Sequence, residues 1–254
     1  MAKLAVATAA GGEPTWGYMK SILGLRGPGD GGFGFITAEG LGVEQARNLL
    51  VERFLKTPAD WLLMVDRDAV LHPQTALRLM SWNEPIVAAL AFTRNTPPMP
   101  TVFAEPSPYD VAHGSQIVGY RVQWEETRTW VAAHVELHED GAAMMDDRPD
   151  DALVRVDFTG MHCTLIRRDV LEGLCPGPWF ERVHPIGGPR GAGEDYYFCR
   201  KAAEAGYATY VDRSVQAGHL AGERSIGGLA FLAWGALANS ASGGYEIETT
   251  TYGS

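Results

Sequence analysis

The chain has 254 residues, 46% of them hydrophobic and 20% charged, a composition that excludes a disordered or collagen-like polypeptide. Its 21 Lys and Arg against 31 Asp and Glu leave a net charge of −10, which argues against indiscriminate binding to polyanions such as nucleic acid. The three cysteines (Cys163, Cys175 and Cys199) are widely spaced and form no CxxC, so they make neither a disulfide framework nor a thiolate zinc site, and a reducing, cytoplasmic setting fits best.

In chain order, the N-terminal run lacks the long apolar region of a signal peptide and reads as a strand over Leu4–Thr8, followed by a loop through Pro14. Residues 24–34 are glycine-rich and read as a loop, with a second strand over Phe33–Thr37. Residues 43–56 carry apolar side chains at 43, 46, 49, 50 and 54, the spacing of a helix that Thr57-Pro58 ends. Trp61–Val65 is continuously apolar, as expected of a central strand buried on both faces. A helix is expected from His72-Pro73 to Ser81, then a buried strand over Ile86–Phe92. Alternation of strand and helix over 1–92 predicts a parallel sheet covered by helices.

Residues 93–150 are rich in proline, charge and aromatics. They read as an antiparallel excursion and loops, with an alternating piece at Gln116–Trp124. Strands are expected over Val154–Phe158 and His162–Ile166, a helix over Asp195–Ala205 closed by Gly206, and a strand over Tyr207–Val211. The uncharged stretch Ser225–Tyr245 is broken by Gly, Ser and Asn and makes a poor membrane span.

Asp66-Arg67-Asp68 follow the buried strand at its carboxyl end, where open α/β sheets bind their ligands. Residues two apart in extended chain face the same way, so Asp66 and Asp68 are expected to address one site. Two carboxylates there suit Mg²⁺ or Mn²⁺, ions that complete their shells with water and substrate phosphates. Glu194 and Asp195 open a helix, where they either serve its dipole or supply a general base for an acceptor hydroxyl. His219 is a candidate ligand for a divalent ion. The other histidines, His162 among them, read as structural. Arg190 and Arg224 read equally as diphosphate contacts or as solvated surface. Phe180 reads as core, and Trp179 as core or sugar platform.

Taken in order, these pieces resemble a known family. They are the N-terminal strand-loop, Ala46-Arg47-Asn48, Val65-Asp66-Arg67-Asp68, Phe158-Thr159-Gly160-Met161, Pro178-Trp179-Phe180, Gly193-Glu194-Asp195 and Gly218-His219. The set, over residues 3–222, resembles the GT-A-fold glycosyltransferases of the family-2-like kind, which includes many bacterial and phage enzymes. The resemblance implies a single GT-A (Rossmann-like) α/β domain with a mostly parallel central sheet and a smaller antiparallel acceptor-side portion. Residues 1–92 would hold the nucleotide sugar, 93–222 the acceptor, and 223–254 would form a lid or dimer contact. It also implies hexosyl transfer from a nucleotide-diphosphate sugar bridged by Mn²⁺ or Mg²⁺, with the stereochemistry open.

In that arrangement Asp68 and His219 match metal positions, and Asp66 stands near the ribose or metal. Asp195, with Glu194, matches the base. Thr8 and Glu13 lie where the nucleoside is held, and Arg47 and Arg67 lie on the donor side. The acceptor class stays open between protein, glycan, small molecule and modified DNA. A homodimer, no membrane span and a cytoplasmic location (the host's, if phage-encoded) complete the expectation. Two alternatives remain. One is a nucleotidyltransferase using the same carboxylates, although the loop AAGGEPTW offers no Lys or Arg for a triphosphate. The other is a non-catalytic sugar-binding protein on the same fold.

Overall fold

A computed structural model describes residues 3–94, 98–104, 121–122, 124–134, 142–182, 193–221, 224–228 and 230–232. The expected piece at 116–124 and the tail after 223 fall largely outside this set, and Arg190 falls wholly outside it.

The centre is an eight-stranded sheet. Strand β1 (Leu4–Ala10) pairs in parallel with β2 (Gly34–Glu39) on one side and β3 (Trp61–Val65) on the other. Beyond β3 lie β10 (Cys163–Arg167), β5 (Ile86–Leu90), β11 (Thr209–Gln216) and β8 (Ala143–Met144), with β9 (Leu153–Val156) also on β11. Strands β2, β1, β3, β5 and β11 share one direction. Strand β10 runs antiparallel to both of its neighbours, and β8 and β9 run antiparallel to β11. The sheet is therefore mixed, and a later strand is inserted between two strands of the first half. Local sequence reports that a segment is a strand; which neighbours it joins depends on the rest of the fold.

The alternation of buried side chains explains the layers. Ala5, Ala7, Leu62 and Met64 face one side, where they meet Ala46, Leu50 and Phe54 of α2 (Val43–Leu55). Val170 and Leu171 of α5 (Arg168–Gly173) and Phe198 of α6 (Glu194–Glu204) pack on the same face. Leu4, Val6, Leu63 and Val65 face the other side, against Tyr18 and Ile22 of α1 (Trp16–Gly24) and Leu79 of α3 (Thr75–Met80). Both faces of β1 and β3 are thus covered, as their unbroken apolar runs require.

Helix α1 was not expected, because glycines at 17 and 24 obscure its periodicity. Gly17 packs closely: a Cβ there would stand 2.9 Å from Leu220 Cδ1 and 3.3 Å from Val70 Cγ2, so a larger residue would have to push the Leu220 side chain aside. The 93–150 excursion does contain an antiparallel pair, β6 (Phe103–Ala104) with β7 (Arg121–Val122), but also an unexpected helix, α4 (Trp124–His134). Trp130 and Val131 of α4 pack with Phe92 and Val211 in a third cluster.

A second, three-stranded antiparallel sheet completes the architecture. Strand β4 (Ala69–Val70) pairs with β12 (Gly218–Ala221), which pairs with β13 (Arg224–Ile226). This small sheet joins the turn after β3 to a segment distant in sequence. No helix among the described residues is long and apolar enough to cross a membrane.

Candidate functional site

Strand β3 ends at Val65, and the Ala69 amide donates to the Asp66 carbonyl at 3.0 Å, closing a turn over 66–69. Asp66 and Asp68 therefore meet the cleft through a turn, rather than through the alternation of extended chain expected from the sequence. Two pairings bring partners to this turn. The β3–β10 register places Cys163 opposite Val65, and the Asp66 amide donates to the His162 carbonyl at 3.0 Å. The β4–β12 register places His219 opposite Ala69, and the Leu220 amide donates to the Asp68 carbonyl at 2.8 Å.

The outcome is a cluster of Asp68, His162 and His219 whose ligand atoms all lie within 4.8 Å of one another. Both imidazoles are oriented by backbone. The His162 Nε2–H donates to the Gly218 carbonyl at 3.0 Å, and the His219 Nδ1–H donates to the Phe92 carbonyl at 2.8 Å. Each ring then directs its other nitrogen at Asp68. His219 Nε2 is 3.5 Å from Oδ2, and His162 Nδ1 is 3.9 Å from Oδ1 and 3.6 Å from Asp66 Oδ2. His162 is buried and its Nδ1 has no hydrogen-bond partner.

A buried imidazole nitrogen facing carboxylates at such distances is satisfied by a cation shared with them, either its own proton or a metal ion. Ligating histidines typically spend their second nitrogen on a carbonyl in this way. Ligand atoms sharing an ion at ~2.1 Å stand about 3 Å apart when adjacent and about 4 Å when opposite, and the 3.5 and 3.9 Å separations of the two imidazoles from Asp68 lie inside that span. Burial pushes the His162 pKa down, but Asp66, the Gly218 carbonyl and Asp68 together raise it above its ordinary value. Burial likewise opposes ionisation of Asp68, yet His219 and His162 hold its carboxyl below the usual range.

The opposite end of the cleft is built around Arg47 on α2, whose guanidinium is almost wholly buried. It donates to Glu194 Oε1 at 2.7 Å, to Asp66 Oδ1 at 3.2 Å, and to Asp195 Oδ1. Burial works against its charge, but the three carboxylates outweigh burial and hold its pKa above the ordinary value. Asp66 is opposed by burial and held well below the carboxylate range by Arg47 and His162. Its charge is thus shared between Arg47 on one side and His162, 3.6 Å from its Oδ2, on the other. Asp195 behaves oppositely. Burial, with the nearby charges of Glu194 and Asp66, pushes its pKa up to about 6 against the pull of Arg47. Its Oδ2 accepts from the Met161 amide at 3.3 Å.

A cavity of about 420 Å³ joins the two ends, lined by Ala9, Gly11, Leu41, Arg47, Asp66, Arg67, Asp68, Arg94, Glu194 and Asp195 among others. Arg67 braces its rim by donating to the Glu13 carbonyl at 3.1 Å. Glu13 contributes that carbonyl; its side chain is exposed and outside the lining. Thr8 is also outside it, buried with its hydroxyl 2.6 Å from the Tyr18 hydroxyl. Asn48, next to Arg47, accepts at Oδ1 from the amides of Trp179 and Phe180, and both aromatics belong to the core.

Two lining or ligating residues were not found from the sequence, His162 and Arg94. Their only signal is spatial. His162 gains its place from the antiparallel β10 insertion, and Arg94 pairs with Asp68 Oδ2 at 3.1 Å from beyond β5.

No family model matches the chain, and no curated protein is similar to it at the level of sequence. Among solved structures it is similar to the crystal structure of A197 from STIV. The TM-score is 0.52 at 16% identity, over 90% of this chain and 91% of that one. At that identity the likeness concerns the fold alone: a mixed α/β, Rossmann-like architecture with a large, mostly parallel central sheet and a small antiparallel one.

Proposed function

We propose that the protein is a metal-dependent glycosyltransferase that moves a sugar from a nucleotide-diphosphate sugar to an acceptor hydroxyl. The observation that carries this reading is a single cleft lined both by Asp68, which belongs to an Asp–His–His donor set, and by Asp195, a carboxylate of raised pKa. Asp68, His162 and His219 would hold a divalent ion, and their two imidazoles favour Mn²⁺ over Mg²⁺, which prefers oxygen throughout. When bound, such an ion supplies Lewis-acid neutralisation of the charge that develops on the leaving phosphate oxygen.

The chain's own groups account for the other requirements. Arg67 and the loop 9–13 close one rim of the donor pocket. Asp195 accepts the proton that the acceptor hydroxyl loses as it attacks an oxocarbenium-like centre, and its pKa near 6 suits a base at neutral pH. Arg47 fixes Asp195 and Glu194 against the floor of the cleft. The donor binds mainly through residues 1–92, and the acceptor through 93–222.

The test is thermal melting with UDP, GDP and their sugars, with Mn²⁺ or with chelator. Stabilisation is expected only when metal and nucleotide are both present. Replacing the missed ligand, H162A, should weaken Mn²⁺ binding by at least about tenfold. Nucleotide stabilisation that survives chelation would remove the bridging role, as would Mn²⁺ binding unaltered in H162A.

A further inference from the structure

Three guanidinium groups line the cavity, and they are held very differently. Arg47, with a side chain only 6% exposed, is committed to three carboxylates. Arg67 is braced on the Glu13 carbonyl and packed against Gly12, where an added Cβ would stand 2.6 Å from its Nη1. Arg94 is 56% exposed, and its ion-pair partner among the described residues is Asp68.

The backbone behind Arg94 is pinned. Thr93 N–H donates to the Met99 carbonyl at 2.8 Å, and the Thr93 hydroxyl accepts from the Met99 amide at 3.0 Å. The long side chain of Arg94 extends from this anchor and is more than half solvated. That side chain meets Asp68 at Oδ2, the oxygen that also lies 3.5 Å from His219 Nε2. A divalent ion entering between Asp68 and His219 takes the same lone pairs and repels the guanidinium.

From this convergence we propose that Arg94 is an exchangeable cation. It neutralises Asp68 until a metal ion arrives, then turns into the cavity and pairs with the diphosphate of the donor. The inference rests on the metal-dependent reading above and assigns that site a positioning residue. The chemistry is matched at both ends. A guanidinium–carboxylate pair whose arginine is more than half exposed is weak enough to yield to a divalent ion. A guanidinium freed beside a metal-held diphosphate finds a partner that accepts two parallel N–H bonds.

The proposal makes one substitution act in opposite directions on two ligands. In R94A, Mn²⁺ alone should bind about threefold more tightly by calorimetry, because its internal competitor is gone. UDP and GDP at saturating Mn²⁺ should both bind about tenfold more weakly, because the phosphate contact is lost. R94K should restore part of both effects, and unchanged melting of the free variants would report an intact fold. Weaker Mn²⁺ binding in R94A would make Arg94 a support of the site and overturn the proposal. Unchanged nucleotide affinity would overturn it as well. Wild-type protein that binds no Mn²⁺ would remove the metal reading itself; wild-type binding that R94A leaves unmoved removes only the exchange.

Discussion

At one end of the cleft, Asp66, Glu194 and Asp195 surround a guanidinium that is sealed inside the protein. At the other, Asp68 faces two imidazole nitrogens and an arginine that is more than half exposed. The first end has a permanent counter-charge, so its geometry is fixed whether or not a ligand binds. The second has a half-solvated one, which under the proposal above gives way to a cation from solution. Buried carboxylates need compensation in both places. What separates a structural cluster from a binding site here is whether the compensating charge can leave.

The largest test of this contrast falls on Asp195, which the fixed end holds but does not fully ionise. D195N should lower turnover by about 10²–10⁴ while nucleotide-dependent stabilisation persists, measured by steady-state kinetics and melting. In the wild type the rate should climb as pH rises through about 6, since only the ionised carboxylate accepts a proton. Stability moves the other way. A carboxyl whose pKa is raised by folding contributes fully below the ordinary carboxylate range and loses that contribution as pH rises through about 6. D195N should therefore gain on the wild type over that interval. A rate profile flat across it would take Asp195 out of the base role.

Next in size is removal of the fixed counter-charge. R47M leaves three carboxylates without their cation and should cost about 3–5 kcal/mol in urea unfolding at neutral pH. The same measurement on D68N should change stability by about 1 kcal/mol or less, because its arginine partner is more than half exposed and the change leaves no buried cation behind. Equal losses in the two variants would erase the distinction between the ends. A smaller effect than that of R47M is expected at Thr8. T8V strands the buried Tyr18 hydroxyl and should cost about 1–3 kcal/mol of stability with KM for the donor unmoved. A raised KM would return Thr8 to the nucleoside site.

Much of this arrangement was legible in the residues themselves. The apolar run Trp61–Val65 announced a central strand, and the aspartates behind it announced where the cleft opens. The spacing of Ala46, Leu50 and Phe54 gave the helix that carries Arg47, and Gly206, at φ +90°, marked the end of α6. Each of these signals is local. His162 carries none, because an isolated histidine before a strand looks like any other; its role follows from the register of β10 on β3. The same limit hid the direction of β10 and the turn that aims Asp66 and Asp68. Helix α1 was lost for another reason: the glycine that lets it sit against Leu220 also breaks the pattern by which helices are read.

The pairing of β4 with β12 has a consequence for how the molecule comes into being. Asp68 emerges early in synthesis, whereas His219 follows only after every strand of the main sheet has been made. A chain cut before Gly218 would lack the imidazole of His219 and the strand that pairs with the segment after Asp68, so the donor cluster and the small sheet are completed by the same late stretch of sequence.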